Sequence, residues 1–255
     1  MSATFRSEWV KAFAGRGARF AYLLLVGLTV GFSAFIASGS TTSPRGAFGD
    51  NDMVAEGLSG VLAATIVAAV IGAVAIGNEY GSGMIATSLA ATPRRSRVVL
   101  AKAAIAWLAT TVVGAAAAYA AYFTARPLQR AGGFVAPGYP DADLTSEPVL
   151  RAMLGTGLLI GVVAVFGVGV CAIVKRSAIA IPIVIASYAV PAMIVVNDDV
   201  SRMLQRWTPF GGFAIQHTVD RHDYFVSPWR GFAIAAAYAA VALIIGVIVT
   251  NRRDV

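Results

Sequence analysis

The chain has 255 residues, of which 58% are hydrophobic and 13% are charged. Since a soluble domain carries about 25% charged residues, roughly half the usual charge is missing, which argues against an ordinary soluble domain. The basic residues give a net charge of +7, but they stand in small groups between long apolar blocks and not along one face. The charge therefore does not indicate a nucleic-acid-binding protein. It is typical of a membrane protein.

Residues 1–19 form a basic leader. Phe5, Trp9 and Phe13 recur at a spacing of four, so on a helix they share one face, while Arg6 and Lys11 lie off it. The pattern predicts an amphipathic helix that lies flat at the membrane surface. A juxtamembrane leader without a specific role is the alternative.

Six apolar runs follow, and each approaches the length of about 20 residues that a helix needs to cross a bilayer. Pro182 and Pro191 in the fifth run predict a kinked helix. The sequence therefore predicts an all-α, polytopic membrane protein with a single transmembrane domain over residues 20–255. The predicted spans are residues 20–38, 58–77, 98–123, 150–174, 178–196 and 231–250.

The loops between these spans predict the orientation. One side of the membrane holds 12 basic and 3 acidic residues, and the other side holds 8 basic and 10 acidic residues. Because cytoplasmic loops carry the excess of Lys and Arg, both termini are predicted to face the cytoplasm. All but three of the 20 basic residues are arginine, which with abundant Ala, Gly and Val is typical of a GC-rich bacterial genome. The predicted location is thus a bacterial cell membrane.

Three segments are predicted to lie outside. Residues 39–57 and 124–149 are polar and rich in Gly, Pro, Ser and Asp, which predicts loops. Residues 197–230 hold too many large apolar side chains for a solvated loop and predict short helices that re-enter the membrane, broken near Pro209, Gly211 and Gly212. His217 and His222 lie in this segment, where a solvated loop is favoured over a metal or proton site.

Several chemistries have no sequence signal. No G-x-x-x-x-G-K-[ST] motif is present, so the chain is not expected to hydrolyse ATP in the manner of a phosphate-loop enzyme, and no metal-ligand spacing is convincing. Apart from Lys102 and Arg151 near span ends, the predicted spans carry no ionisable side chain, which disfavours an ion-coupled carrier. We expect a non-enzymatic membrane subunit that binds no cofactor and takes its energy from outside the chain.

One predicted cytoplasmic segment, residues 77–97, stands out. It contains Glu79, the one acidic residue of the predicted inner loops between spans, and a short apolar face that ends at Pro93 before three arginines. This pattern fits a docking site for a soluble partner. A helical connector, with Glu79 solvated or paired to an arginine, is the alternative.

The run from Glu79 to Arg97 has the pattern E-Y-G-x-G-x-I-x-T-S-L-x-x-x-P-R-R-x-R, in which x stands for any residue. It resembles permease subunits of ATP-binding-cassette exporters of the type-two branch, which includes bacitracin-resistance and lantibiotic-immunity permeases. The resemblance in layout covers the whole chain. It implies a coupling helix that rests in a groove of an ATPase subunit, formed or framed by Glu79, Tyr80, Gly83, Thr87 and Pro93. It also implies that Phe5, Trp9 and Phe13 belong to an elbow helix.

The resemblance implies an ATP-driven exporter with two permeases, either two copies of this chain or this chain and a similar one. Two ABC ATPase subunits would hold ATP and Mg, and membrane lipid is a further partner. The candidate pathway wall comprises Thr65, Pro182, Ser187, Tyr188 and Pro191. Its apolar lining predicts a hydrophobic or amphipathic cargo: an antibiotic, a peptide or a lipid. The alternatives are an ion-coupled carrier or channel, and a membrane-embedded enzyme or assembly factor.

Overall fold

The structure is a computed structural model that describes residues 9, 13, 15–39, 52–81, 95–131, 146–194, 198–218 and 226–252. Throughout these ranges the secondary structure is helical, without a strand. The helices are α1 (Arg16–Gly39), α2 (Met53–Gly57), α3 (Val61–Gly81), α4 (Arg95–Ala131), α5 (Glu147–Val174), α6 (Ser177–Met193), α7 (Asp198–Trp207), a 3-10 helix (Pro209–Gln216) and α8 (Pro228–Arg252).

Five of these helices are long and apolar enough to cross a membrane: α1, α3, α4, α5 and α8. Each coincides with a predicted span, so the chain has the character of a multi-pass membrane protein. The remaining predicted span, residues 178–196, corresponds to α6, which has 17 residues. At 1.5 Å per residue α6 is about 26 Å long, slightly less than a hydrocarbon core of about 30 Å. A sixth span and an elbow helix therefore stay predictions.

Helix α5 is the centre of the bundle. It packs against α3, α4, α6, α8 and the 3-10 helix, and it is the most buried of the long helices, whereas α1 and α8 are the most exposed. The contacts on α5 use small residues. A Cβ on Gly157 would lie 2.7 Å from the carbonyl oxygen of Thr111 in α4, and a Cβ on Gly169 would lie 2.6 Å from the backbone nitrogen of Leu243 in α8. Glycine is thus required for this close approach of the backbones.

The outer helices show the opposite pattern. Helix α1 buries Leu25, Thr29, Ser33 and Ala37, spaced by four residues, and exposes Phe20, Leu23 and Phe35. Helix α8 likewise buries alanines and Gly246 while Val241 and Ile244 are exposed. Small residues face the protein and large apolar residues face outward, which suits a hydrocarbon solvent.

Two of the G-x-x-x-G pairs in the sequence, Gly27/Gly31 and Gly157/Gly161, each lie in a predicted span but differ in their surroundings. Gly157 and Gly161 of α5 lie against α4, so this pair packs within the chain. Around Gly27 and Gly31 of α1, by contrast, no heavy atom of the described chain lies within 4 Å of a Cβ built on either residue, apart from local helix backbone. Sequence alone could not separate the two pairs.

Two parts of the predicted loops are helical instead. Helix α4 continues to Ala131 past Pro127, beyond the predicted span end at residue 123. Residues 53–57 form α2, because the Asp52 carboxylate accepts a hydrogen bond from the Ala55 N–H and so caps the helix. Gln129 Nε2 donates to the Met53 carbonyl oxygen at 3.2 Å, which ties the end of α4 to α2. These polar contacts, invisible to a hydropathy profile, order both segments.

The segment before α8 contains α7 and the 3-10 helix, which meet at Thr208 and Pro209. Helix breaks were predicted at Pro209, Gly211 and Gly212, and the first is confirmed. Gly211 and Gly212 lie inside the 3-10 helix, where they are buried. Gly211 packs against Gly231 of α8, which allows the two backbones to touch.

Candidate functional site

The clearest polar feature inside the bundle is a buried ion pair between α3 and α4. Lys102 Nζ lies 2.8 Å from Glu79 Oε1, and each side chain is 6% exposed. Glu79 stands in the last turn of α3, and Lys102 stands two turns into α4. Because a buried charge without a partner costs several kcal/mol, each side chain stabilises the other at this position. The ion pair therefore holds together the two helices that flank residues 82–94.

Tyr80 extends this contact to other helices. Its hydroxyl lies 3.5 Å from Thr250 Oγ1 near the end of α8, and Lys175 Nζ lies 5.7 Å from the centroid of its ring. Lys175 caps α5 in the left-handed conformation, with φ of 57°, and its N–H donates to the Cys171 carbonyl oxygen. The end of α3 is thus joined to α4, α8 and the turn between α5 and α6. We call Glu79, Lys102, Tyr80, Lys175 and Thr250 the α3–α4 junction.

Two of the five predicted coupling residues belong to the part of the chain that the structure describes. Glu79 and Tyr80 belong to the α3–α4 junction, while Gly83, Thr87 and Pro93 lie outside the described residues. Glu79 is largely buried, and its carboxylate pairs with Lys102. Lys102 was the residue that sequence reasoning missed. A lysine inside an apolar run requires a carboxylate nearby, and Glu79 was the nearest acidic residue of the predicted inner loops.

The predicted elbow residues are partly described. Trp9 and Phe13 have ring centroids 4.9 Å apart, and Phe13 stacks on Tyr22 of α1 at 5.5 Å. Arg19 Nε donates to the Phe13 carbonyl oxygen at 3.2 Å. The leader therefore contacts the first turns of α1 through an aromatic row. Phe5 lies outside the described residues.

The candidate pathway residues lie on α3 and α6, which pack against each other. Thr65 and Ser187 donate their hydroxyls to carbonyl oxygens three residues back, Leu62 and Val184, so neither hydroxyl presents a free donor. Pro191 is buried and Pro182 is exposed.

Tyr188 is the exception among these residues. It is 2% exposed, and its hydroxyl has no hydrogen-bond partner among the described residues. Its ring meets Phe166 of α5 at 6.5 Å and Phe213 of the 3-10 helix at 6.2 Å, both edge to face. Buried tyrosine hydroxyls usually find a partner. Tyr188 therefore offers one unused donor within an aromatic cluster, and Phe166 and Phe213 are pathway candidates that sequence reasoning missed.

A second polar cluster lies at the opposite end of the bundle. The Asp52 carboxylate accepts from the Thr218 N–H at 2.7 Å and from the Thr218 hydroxyl at 2.8 Å, and His217 Nδ1 lies 3.6 Å away. Arg151 Nη2 of α5 donates to the His217 carbonyl oxygen at 2.7 Å. This cluster connects α2 and α5 to the end of the 3-10 helix. His217, which was predicted in a solvated loop, is largely buried here.

Burial would raise the pKa of Asp52, but the neighbouring His217 side chain and hydrogen bonds from Ala55 and Thr218 lower it to about 2. A carboxylate whose pKa is lower in the folded state than in the unfolded state stabilises the fold above the unfolded value, which is about 3.9. We expect Asp52→Asn to cost about 2 kcal/mol at neutral pH. The difference from wild type should shrink as the pH falls from about 4 towards 2, because the wild-type carboxylate then becomes protonated.

Thermal unfolding of the detergent-solubilised protein across this pH range checks the expectation. Glu147→Gln is the matched control, since the Glu147 side chain is 73% exposed and pairs with Arg151 one turn away at 3.5 Å. A pH-independent difference between Asp52→Asn and wild type would contradict the assignment of a depressed pKa to Asp52.

The described residues contain no group of three or more His, Cys, Asp or Glu side chains arranged to hold a metal ion. Comparison of the sequence with protein-family models finds no match. Comparison with curated proteins likewise finds no match. The functional assignment therefore depends on the residues and on the geometry of the two polar clusters.

Proposed function

We propose that this chain is the permease subunit of an ATP-driven exporter that resembles the type-two branch of ATP-binding-cassette exporters. The observation that carries the proposal is the α3–α4 junction, because it lies at the base of the one segment with the coupling-helix pattern, residues 79–97. Two permeases, identical or similar, would assemble with two ATPase subunits that hold ATP and Mg. The permease itself carries no catalysis in this proposal.

The α3–α4 junction supports a mechanical role for this segment. A segment that moves a membrane pathway has to be attached firmly to the helices that line it. The Glu79–Lys102 ion pair joins α3 and α4, the helices that flank residues 82–94. Tyr80 joins α3 to α8 and to the turn before α6. Movement of the ATPases would displace the segment, and these contacts would pass the displacement to α3, α4, α6 and α8. The pathway would then exchange between inward-facing and outward-facing states.

The positions of the ionisable residues also favour an energy source outside this chain. A proton- or voltage-coupled carrier keeps ionisable groups in the middle of its spans, where they bind or move the coupling charge. In this sequence the ionisable residues of the apolar helices stand near helix ends, as Glu79, Lys102 and Arg151 do. Among the described residues, the buried carboxylates outside α3 are Asp52 and Glu56, and both precede the first turn of that helix. The ion-coupled carrier therefore remains the less favoured candidate.

The cargo is proposed to be hydrophobic or amphipathic. The bundle interior consists mostly of Ala, Gly, Val and Ile, and it cannot replace the hydration shell of an ion or a sugar. Tyr188, Phe166 and Phe213 offer aromatic contacts and one hydroxyl donor. This combination suits an apolar antibiotic, a peptide or a lipid, which loses little hydration on entry and gains from ring contacts.

The ATPase association is tested with the product of the neighbouring gene, provided that it carries a phosphate-loop motif. Co-expressed with this chain in membranes, the ATPase should co-purify, and hydrophobic compounds should stimulate its ATP hydrolysis. Thr87→Arg, in the coupling pattern, should reduce co-purification about tenfold or more if it removes one charge-assisted or close contact of about 1.5–3 kcal/mol. Thr41→Arg, in the first loop between spans, is the matched control and should leave co-purification unchanged.

Equal co-purification of both variants would argue against docking through residues 82–94. The absence of any neighbouring ATPase gene would weaken the whole proposal. Robust ATP-dependent uptake of a small hydrophilic solute, without response to any amphiphile, would contradict the proposed cargo class.

The orientation is proposed from the charges: both termini and the α3–α4 junction face the cytoplasm of a bacterial cell. It is tested with single cysteines at Ser96 and Ser201 in a Cys171→Ala background. An impermeant thiol reagent added to intact cells should label the cysteine at position 201 and spare the one at position 96, which should react only after the cells are opened. The reverse labelling pattern would show that the termini lie outside.

A further inference from the structure

Helix α7 carries an apolar stripe that is largely exposed in the described chain. Val200, Met203 and Trp207 follow each other at spacings of three and four, so they share one face of the helix. Their exposed fractions are 39%, 64% and 57%. The rest of the helix is strongly polar in sequence, with two aspartates at its start and two arginines after them. This is an amphipathic helix whose apolar side faces away from the protein.

The end of α7 contacts α8 ten residues after the first residue of that helix. The Tyr238 hydroxyl donates to the carbonyl oxygen of Trp207 at 3.1 Å. Tyr238 is ten residues after Pro228, the first residue of α8, which is about 15 Å along the helix. A carbonyl oxygen at the end of a helix needs a donor where water is scarce, and Tyr238 supplies it. Trp207 therefore lies at a depth where α8 is already apolar.

Two arginine side chains lie near Trp207. The guanidinium of Arg230, in the first turn of α8, lies 5.6 Å from the centroid of the Trp207 ring. Arg206 precedes Trp207 and is exposed, and it lines a shallow groove with Asp199, Met203 and Trp207. Trp229, beside Arg230, is 56% exposed. Two arginines and a second exposed tryptophan thus lie near Trp207 at the end of the stripe, which is the composition of a membrane interface.

We propose that the α7 stripe, Val200, Met203 and Trp207, inserts among the acyl chains of a phospholipid leaflet, with Arg206 and Arg230 binding the phosphate groups of the same lipids. The occupant is lipid and not a second protein because the stripe continues into the exposed face of α8. That face follows through Tyr238, Val241 and Ile245, spaced by three and four residues. The proposal requires only a membrane protein and does not depend on ATP-driven export.

The depth of Trp207 is tested by fluorescence in phosphatidylcholine vesicles brominated either near the headgroup or near the end of the acyl chain. Trp9, Trp107 and Trp229 are replaced by Phe, so that Trp207 is the one tryptophan left. Because interfacial side chains lie about 5–10 Å into the leaflet, we expect roughly twofold stronger quenching by bromine near the headgroup. Aqueous iodide should quench weakly. A variant that retains only Trp107, which lies well inside the predicted span over residues 98–123, is the control and should be quenched more by deep bromine.

Met203→Glu should reduce the quenching of Trp207 by lipid, because the carboxylate has to stay in water. Gln205→Glu is the matched control, since position 205 lies about 200° around the helix from Met203. Arg206→Gln and Arg230→Gln should each lower the preference for brominated phosphatidylglycerol over brominated phosphatidylcholine about fivefold. Quenching by iodide with none by bromine would show a solvated helix, and quenching by neither would show a protein partner; both results overturn the proposal. If the triple replacement folds poorly, the difference between wild type and Trp207→Phe supplies the same quantity.

Discussion

Glu79→Ala and Lys102→Ala are each expected to lower the free energy of unfolding by about 3–5 kcal/mol. Each substitution leaves the other charge buried at 6% exposure without its ion-pair partner, and that charge has to be solvated or neutralised at the cost of local packing. The measurement is the temperature at which the detergent-solubilised protein loses its monodisperse peak in size-exclusion chromatography. Arg97→Ala removes an exposed charge less than two turns before Lys102 and is the matched control, expected to change little.

Two double variants separate the charge effect from the packing effect. Glu79→Lys combined with Lys102→Glu keeps one charge of each sign at the α3–α4 junction and should recover part of the loss. Glu79→Leu combined with Lys102→Met replaces both charges by apolar groups of similar size, which in other buried ion pairs is often neutral or stabilising. Single variants that unfold at the wild-type temperature would show that the ion pair contributes nothing to stability.

The same variants test how Glu79 acts in the proposed exporter. Glu79→Ala is expected to cripple transport and to reduce stimulation of the ATPase while the subunit still inserts. If Glu79 positions residues 82–94 through Lys102, the charge-swapped variant should recover coupling together with stability. If Glu79 contacts the ATPase directly, the swap should recover stability and leave coupling impaired. The comparison of the two readouts distinguishes a positioning role from a direct contact.

Gly157→Leu is expected to prevent close packing of α4 and α5, whereas Gly31→Leu should leave the fold of the single chain intact. A Cβ at Gly157 would lie 2.7 Å from the carbonyl oxygen of Thr111 and 2.8 Å from the backbone nitrogen of Ala115, and backbone atoms cannot move aside as a side chain can. Overpacking of a tight contact costs about 1–3 kcal/mol or more. At Gly31 no such neighbour is present in the described chain.

Because both glycines belong to G-x-x-x-G pairs in apolar helices, the two variants are matched in sequence character. Thermal stability in detergent and the yield of folded protein should fall for Gly157→Leu alone. Equal loss in both variants would mean that α1 has a packing partner near Gly31, such as a second permease. In that event, crosslinking of cysteines placed beside Gly27 and Gly31 would show whether the partner is another copy of this chain.

The amino-acid sequence by itself determined the helical, multi-pass character of the protein. Long runs of apolar residues have one favourable arrangement in hydrocarbon, the helix, since it pairs its own backbone groups. The positions of α1, α3, α4, α5 and α8 follow from this requirement and agree with the predicted spans. The break between α7 and the 3-10 helix at Pro209 followed from the missing N–H of proline. These are local properties, and they can be read without knowing any neighbour.

The tertiary structure decided which polar groups meet and which small residues pack. Glu79 and Lys102 are 23 positions apart, and Asp52 and Thr218 are 166 positions apart, so no local pattern pairs them. The G-x-x-x-G pairs Gly27/Gly31 and Gly157/Gly161 look alike in sequence, yet the second lies between backbones and the first at the surface of the described chain. The stripe on α7 has the periodicity of a buried face, and only its position beside α8 shows that it points outward. In each case the deciding quantity is a distance between elements, which depends on the packing of the whole bundle and not on any single segment.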